Sequence, residues 1–263
     1  MNISEINQVI SSMKREKGSI ITNYYYNIAD DGEDYEIIRS KDSLVFIKNQ
    51  VKRQDALFCT TDMKDCLKIL KTLDKDVMLS IVSKDSDYDT HSFDAAGFEL
   101  YAVYERFGDR LYDVDTQSEL MKDNKMDSKY DESYGEYPSK DDIPEIQRIL
   151  EEVFDPLTDD FFTDEELLSL IENKNVVVER TAKRIYCINI FQIFGKKFYG
   201  NILWNIGMPY VSYSIEKKTL LEAIRNKGVN YRYLWIRKDN ASALARNLTQ
   251  KSENIYNYIF RKK

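Results

Sequence analysis

The chain has one histidine in 263 residues and three cysteines, Cys59, Cys66 and Cys187. Tetrahedral zinc needs several His, Cys or carboxylate ligands at short spacings, and a disulfide framework needs cysteines in pairs. Three cysteines with no metal or redox spacing predict neither. They predict reduced, half-buried thiols in a cytoplasmic protein with no metal. Basic residues are outnumbered: 38 Lys and Arg stand against 45 Asp and Glu, a formal charge of −7. Phosphate backbones are bound by clustered Lys and Arg, so nucleic acid is not an expected partner. Long apolar runs are also missing. The longest candidate, 185–194, contains Asn189 and Gln192 and falls short of the roughly 20 residues of a bilayer span. Residues 2–17 are polar and amphipathic, without the apolar region of a secretion signal. No membrane partner is expected.

What is present is an ordinary hydrophobic share, 43%, with 19 Tyr and 12 Phe. The length suits one large domain or two of about 100–150 residues each. Ile6, Val9, Ile10 and Met13 recur at helical spacing and predict a helix over 4–16, stopped by Gly18. Strands are predicted over 19–28, 35–39 and 44–51, with a turn at Asp30-Asp31-Gly32. A strand over 56–60 leads to a helix capped by Thr61 or Asp62, followed by a strand over 77–82. A short helix over 91–96 and a strand over 98–107 complete this half.

From 113 to 136 the pattern dissolves into a polar, acidic stretch with few large aliphatics, a linker composition. The expected division is therefore a first domain over 1–112, a linker over 113–136 that a protease cuts first, and a second domain over 137–263. The second half opens with Ser139 as N-cap and an apolar stripe of Ile143, Ile146, Ile149, Leu150 and Val153. Thr163 with Glu166 opens a second helix. Strands follow over 176–179, 184–194 and 198–206, then a helix over 215–227, a strand over 231–237, a helix capped by Asp239 or Asn240 and running to about Leu248, and a strand over 255–260.

The stretch 198–228 carries the strongest functional pattern: an apolar strand, a Gly207-Met208-Pro209 turn and a helix ending at Gly228. A helix N-terminus just past a strand end presents free N–H groups and a dipole to an anion. A phosphate-bearing cofactor would be sought there.

The order α-α-β-β-β-α-β-α-β of the second half resembles the GNAT N-acyltransferase superfamily. The segment PSKDDIPEIQRILEEVFDP is similar to the opening helix pair of such domains, and YLWIRKDNASAL to a late strand running into a helix through Asn240 and Ala243. Pro209 falls where many members have proline. In the first half, FDAAGFELYAVYERF is similar to the family's closing helix and strand through Ala96-Gly97-Phe98. The resemblance implies a tandem α+β (α/β/α) protein: two copies of a mixed, largely antiparallel sheet flanked by helices, the first copy shortened and without a cofactor loop.

That resemblance implies acetyl-CoA or another acyl-CoA as donor, entering between the strands 198–206 and 231–237, and a small-molecule or peptide amine as acceptor. Pantetheine amides would pair near Ile206 and Met208, and the pyrophosphate would meet the N–H groups of Ser212, Tyr213, Ser214, Ile215, Glu216 and Lys217, with Asn240 nearby. Tyr210 and Tyr213 would serve as acid or base, since a phenol suits protonating a thiolate. The loop Asp155 to Asp164 would admit the acceptor, with Phe161 and Phe162 as walls and Asp159 and Asp160 attracting an amine. The family's glycine-bearing phosphate loop falls on Ser212, Ile215 and Lys217, its late Tyr near Asn247 and its Gly-Phe near Lys251 and Ser252. None of these matches. Two functions stay open: a divergent acyl-CoA-dependent N-acyltransferase, or a non-catalytic tandem GNAT-like protein binding a partner or small ligand. An acyl-carrier protein as donor would relax the need for a pyrophosphate loop.

Overall fold

A computed structural model describes residues 1–24, 35–122, 127–182, 184–246 and 250–263. The expected turn at Asp30-Asp31-Gly32, residues 25–28 of the first expected strand, and the positions Asn247 and Leu248 lie outside the described residues. The chain divides into two compact units, Met1–Tyr104 with Asn254–Lys263, and Glu105–Glu253.

The first unit begins with helix α1, Ile3–Lys17. Asn2 and Glu5 form a capping box at its start, and Gly18 ends it at φ 79, a backbone angle that costs glycine nothing. Strands β1 (Ile21–Thr22), β2 (Ile37–Arg39), β3 (Ser43–Asn49), β4 (Gln54–Thr60) and β5 (Val77–Ser83) follow, with helix α2 (Met63–Lys71) between β4 and β5 and α3 (His91–Asp94) after β5. β6 spans Phe98–Arg110 and the last strand, β11, spans Lys251–Lys262, so each contributes to both units. The strand path in this unit is β2-β3-β4-β5-β11-β6. β4 and β5 run parallel, as a helical crossover requires. One apolar cluster gathers Phe58, Leu70, Leu79, Phe93, Phe98 and Phe260; another gathers Ile6, Ile10, Tyr24, Phe46 and Cys59. All three thiols are buried, not half-buried as expected. Burial pushes Cys59 up to about 11 and Cys66 up to about 12, which keeps both protonated and inert.

The second unit holds α4 (Val114–Lys122), α5 (Ile143–Val153), α6 (Asp164–Glu172), β7 (Val176–Arg180), β8 (Ile185–Phe194), β9 (Lys197–Asn205), α7 (Pro209–Lys227), β10 (Tyr231–Arg237) and α8 (Ala241–Arg246). Its strand path is β6-β10-β9-β8-β7. β7, β8 and β9 are antiparallel neighbours, and β9 and β10 are parallel. The apolar stripe of α5 packs with α6 on Ile188, Ile190 and Ile202. Val153, expected in that stripe, is exposed. On the helix α7 side, Leu220, Ala223 and Ile224 pack with Phe191, Phe198 and Leu111.

The segment expected as a linker carries structure. Asp113 accepts from the Thr116 N–H and hydroxyl and so caps α4, and Val114 and Met121 pack against the α7 cluster. A 3₁₀ turn follows at Asp127–Lys129, and Glu136 pairs with Val178 of β7. Sparse aliphatics suffice here because they recur on one side of a single helix. Among the described residues, no helix is long and apolar enough to cross a membrane, and no group of three His, Cys, Asp or Glu is placed to hold a metal.

Candidate functional site

Within the second unit, β9 and β10 are paired only from Lys197↔Tyr231 to Gly200↔Leu234. Beyond that point β9 continues through Asn201–Asn205 and β10 through Trp235–Arg237 without ladder partners in each other. At the point of divergence β9 is also irregular. Its pairing with β8 jumps from Phe191↔Gly200 to Ile190↔Ile202, so Asn201 is the extra residue of a bulge. A bulge leaves the extra residue's backbone out of the ladder and re-aims its side chain.

The open edge of β9 has a definite parity. The Ile206 N–H donates to the Tyr186 carbonyl on β8. Because backbone groups alternate sides along an antiparallel ladder, those of Leu203 and Asn205 point away from β8, toward the side where β10 has diverged. Ile206 and Met208, expected to meet an acyl carrier's amides, are otherwise engaged. The Ile206 N–H is taken by Tyr186, and the Met208 N–H donates to Asn205 Oδ1 at 2.9 Å. The Met208 carbonyl accepts from Val211 and Ser212.

Beside the apex lies a cavity of about 560 Å³, walled by Phe161, Phe162, Leu170 and Tyr199 and carrying Asp160, Glu165, Gln192 and Asn201. Asp160 Oδ2 accepts from Asn201 Nδ2 at 2.8 Å and from the Tyr199 hydroxyl at 3.3 Å. Asn201 Oδ1 is buried and, among the described residues, has no hydrogen-bond partner. A buried acceptor without a donor is costly unless something else supplies one. The cavity thus offers a carboxylate, an unpaired carbonyl oxygen and aromatic walls, with no Lys or Arg lining it. Such a lining can accept hydrogen bonds from a donor group, charged or neutral. The loop that sequence reasoning singled out, with Phe161, Phe162 and Asp160, forms one side; Tyr199, Asn201 and Gln192 of the sheet were missed. The only sequence signal for them is three polar or aromatic residues breaking the apolar runs of β8 and β9.

Helix α7 differs most from expectation. It starts at Pro209, not at 215. Proline is preorganised for the first helical position, and the turn before it is fixed by Asn205, whose Nδ2 donates to Ser212 Oγ at 3.1 Å while Oδ1 holds the Met208 N–H. Ser212, Tyr213, Ser214, Ile215, Glu216 and Lys217 therefore lie inside the helix. The side chains of Ser212, Ser214 and Ile215 are fully buried, and the Val211 and Ser212 N–H groups are closed onto Met208.

Tyr210 packs edge-on against Tyr134 at 6.0 Å. The Tyr213 hydroxyl donates to the Met121 carbonyl at 3.0 Å and to Asp127 Oδ1 at 3.2 Å. Burial first, then Asp127, raises its pKa. Lys217 joins it: its ammonium is 2.5 Å from the same Asp127 oxygen. Glu216 lies 3.8 Å from Arg232. Asn240 is exposed and accepts the Ala243 N–H at 3.0 Å, so it caps α8. The structure thus brings Tyr213 and Lys217 together around Asp127, and does not gather Ile206, Met208 and Asn240 with them.

No protein-family model and no curated protein sequence matches the chain. Solved structures do share its fold. A GCN5-related N-acetyltransferase from Sphaerobacter thermophilus matches at 12% identity and TM-score 0.52, covering 98% of this chain and 91% of its own. A GNAT-family acetyltransferase from Colwellia psychrerythraea matches at 11% identity and TM-score 0.51, covering 100% and 99%. A conserved protein of unknown function from Staphylococcus epidermidis matches at 11% and 0.53, covering 90% and 98%. The fold is that of the GNAT acetyltransferases: α+β, with a mixed, mostly antiparallel sheet flanked by helices.

Proposed function

We propose that the protein is a divergent GNAT-type acyltransferase that moves an acetyl or other acyl group from acyl-CoA to an amine. The observation that supports it is the divergence of β9 from β10 with a cavity at its apex. A thioester arm laid along the open edge would pair its amides with the backbone of Leu203 and Asn205, rather than of Ile206 and Met208. Its carbonyl would then arrive beside the Asn201 bulge. An amine in the cavity would donate to Asn201 Oδ1 and Asp160.

Amines are protonated at neutral pH, so the nitrogen must first lose a proton. Asp160 accepts it, directly or through a water. The nitrogen lone pair then attacks the thioester carbon, the C–N bond forms and the C–S bond breaks; the nitrogen's second proton passes to the departing thiolate, and Asp160 returns the first to water. Positioning and proton transfer together supply the rate. In this reading Tyr213 anchors α7 to Asp127 and Tyr210 packs on Tyr134, so neither is the thiolate's acid. Tandem ancestry belongs to the same proposal. β4-α2-β5 in one unit and β9-α7-β10 in the other are both parallel strand pairs joined by a helix.

One observation favours the second reading, a non-catalytic GNAT-like protein binding a partner or small ligand. The first turn of α7 has most of its donors taken: Pro209 has no N–H, and Met208, Val211 and Ser212 spend theirs internally. Melting with acetyl-CoA, combined with thiol release over a panel of amines, separates the two. Acetyl-CoA at about 100 times its Kd adds about 2.7 kcal/mol to a protein that binds it. The first reading expects that stabilisation in the parent and in Asp160→Asn, with kcat/KM at least about tenfold lower in the variant. No stabilisation and no transfer in the parent would leave the second reading.

A further inference from the structure

We propose that Lys217, Tyr213 and Tyr130 form a pocket for a phosphate or diphosphate group, and that Asp127 fills it as an internal competitor. Lys217 sits in the third turn of α7 and its side chain is 3% exposed. Its ammonium lies 2.5 Å from Asp127 Oδ1, 4.5 Å from the Tyr130 ring centroid and 6.0 Å from that of Tyr213. The Tyr213 hydroxyl donates to the same carboxylate oxygen at 3.2 Å. A cation and a phenolic donor thus converge on one anionic oxygen, beside an aromatic wall.

A buried ion pair contributes little net stability compared with apolar groups of similar volume, so packing alone does not call for one here. Phosphoryl oxygens accept from Lys and Tyr as a carboxylate does, with more charge and more acceptor sites. Burial, its largest cause, pushes the Tyr130 phenol up to about 12, and Tyr213 is raised as well. Both therefore stay protonated at neutral pH.

Asp127 lies nearer the surface than Lys217, with a side chain 22% exposed against 3%. It belongs to a strap, residues 127–136, anchored at its far end by the Tyr134–Tyr210 ring contact and the pairing of Glu136 with Val178, and otherwise held on α7 and β7 by polar contacts. The Asp131 N–H donates to Ser214 Oγ at 3.2 Å, and Lys218 donates to the carbonyls of Glu132, Tyr134 and Gly135 at 3.2, 3.4 and 3.2 Å. The Gly135 N–H donates to Glu179 at 2.5 Å. A tethered carboxylate competes at an effective concentration of order millimolar, so an outside anion binds weakly until the strap gives way.

The proposal rests on the acyl-CoA reading only for the natural source of the diphosphate, and the test keeps the two apart. Binding of inorganic pyrophosphate and of acetyl-CoA is measured by calorimetry and melting in the parent, Asp127→Ala, and Asp127→Ala with Lys217→Met. Asp127→Ala is expected to melt lower than the parent, to regain stability with pyrophosphate, and to bind it at least about tenfold more tightly. The double variant is expected to show neither effect. An Asp127→Ala protein indifferent to pyrophosphate overturns the pocket and leaves a plain ion pair.

If Asp127→Ala does not fold, the parent supplies the answer. Excess pyrophosphate should speed proteolytic cleavage within 127–136, and an unchanged rate overturns the proposal. Pyrophosphate rescue without acetyl-CoA binding keeps the pocket and refutes the acyl-CoA reading. Acetyl-CoA binding by the parent without pyrophosphate rescue does the reverse.

Discussion

Replacing Ile215 by valine, alanine and glycine probes what α7 has become. The resemblance places a phosphate-loop glycine near this position, which makes Ile215→Gly look like a restoration. The structure makes it a core deletion. Ile215 is fully buried and packs with Val177, Cys187 and Val211. The space beside it is tight as well: a Cβ at Gly135 would stand 3.0 Å from its Cγ1. Removing one methyl from such a site costs about 0.5–1.5 kcal/mol, and truncation to alanine about 2–5 kcal/mol, because the cavity collapses only in part. Glycine inside a helix adds about 1 kcal/mol. The expected order is therefore Val, Ala, Gly, with Ile215→Gly losing about 3–6 kcal/mol, much of a typical domain's stability. Urea unfolding followed by tryptophan fluorescence reads this directly, since Trp204 and Trp235, the chain's two tryptophans, both lie in the unit that holds Ile215. A glycine variant that loses less than about 1 kcal/mol, or gains acetyl-CoA binding at unchanged stability, would refute the burial argument and return residue 215 to a ligand-facing turn.

Two further perturbations test the same unit. Arg180, first among its causes, holds the Asp142 carboxyl down to about 2; the folded pKa lies below the unfolded one, so the pair's contribution is present above about pH 4 and lost as pH falls toward 2. Asp142→Asn should cost about 2 kcal/mol near neutral pH and almost nothing near pH 2, and an equal cost at both would show that the pair is not the source. Gly135→Ala tests the strap: its φ is +89 and an added Cβ would stand 2.8 Å from Val177 Cγ1. A loss of about 1–3 kcal/mol together with faster proteolysis of 127–136 is expected, whereas a neutral variant would mean the strap is not seated on α7 and β7.

Much of the local structure is settled within a few residues of chain. Ser139 with Asp142, and Thr163 with Glu166, are capping pairs in the sequence and in the fold, and the fold adds Asn2 with Glu5. Gly18 and Gly228 end helices at positive φ. Alternating and 3.6-residue periods locate most strands and helices because the physics that forms them acts over i to i+4 or along one strand face. The loop that walls the cavity was legible for the same reason: Asp155 to Asp164 lies between two helices whose ends the sequence marks.

The features that make a site belong to tertiary structure. Nothing local says that β9 parts from β10 after Gly200, or that Asn201 is a bulge residue; both depend on which strand lies opposite. The acidic stretch 113–136 reads as a linker by composition, and becomes helix and strap only because α7 offers Leu220 and Ala223 to α4, and Ser214, Lys217 and Lys218 to 127–136. The extension of α7 back to Pro209 is of the same kind. Serine and tyrosine at 212–214 favour no element strongly by themselves; burial of the flanking Val211 and Ile215 against Cys187 and Val177, with Tyr213 and Ser214 bonded to Asp127 and Asp131, makes the segment helical. Propensities of a few tenths of a kcal/mol per residue are set aside whenever packing of one buried side chain is worth several times as much.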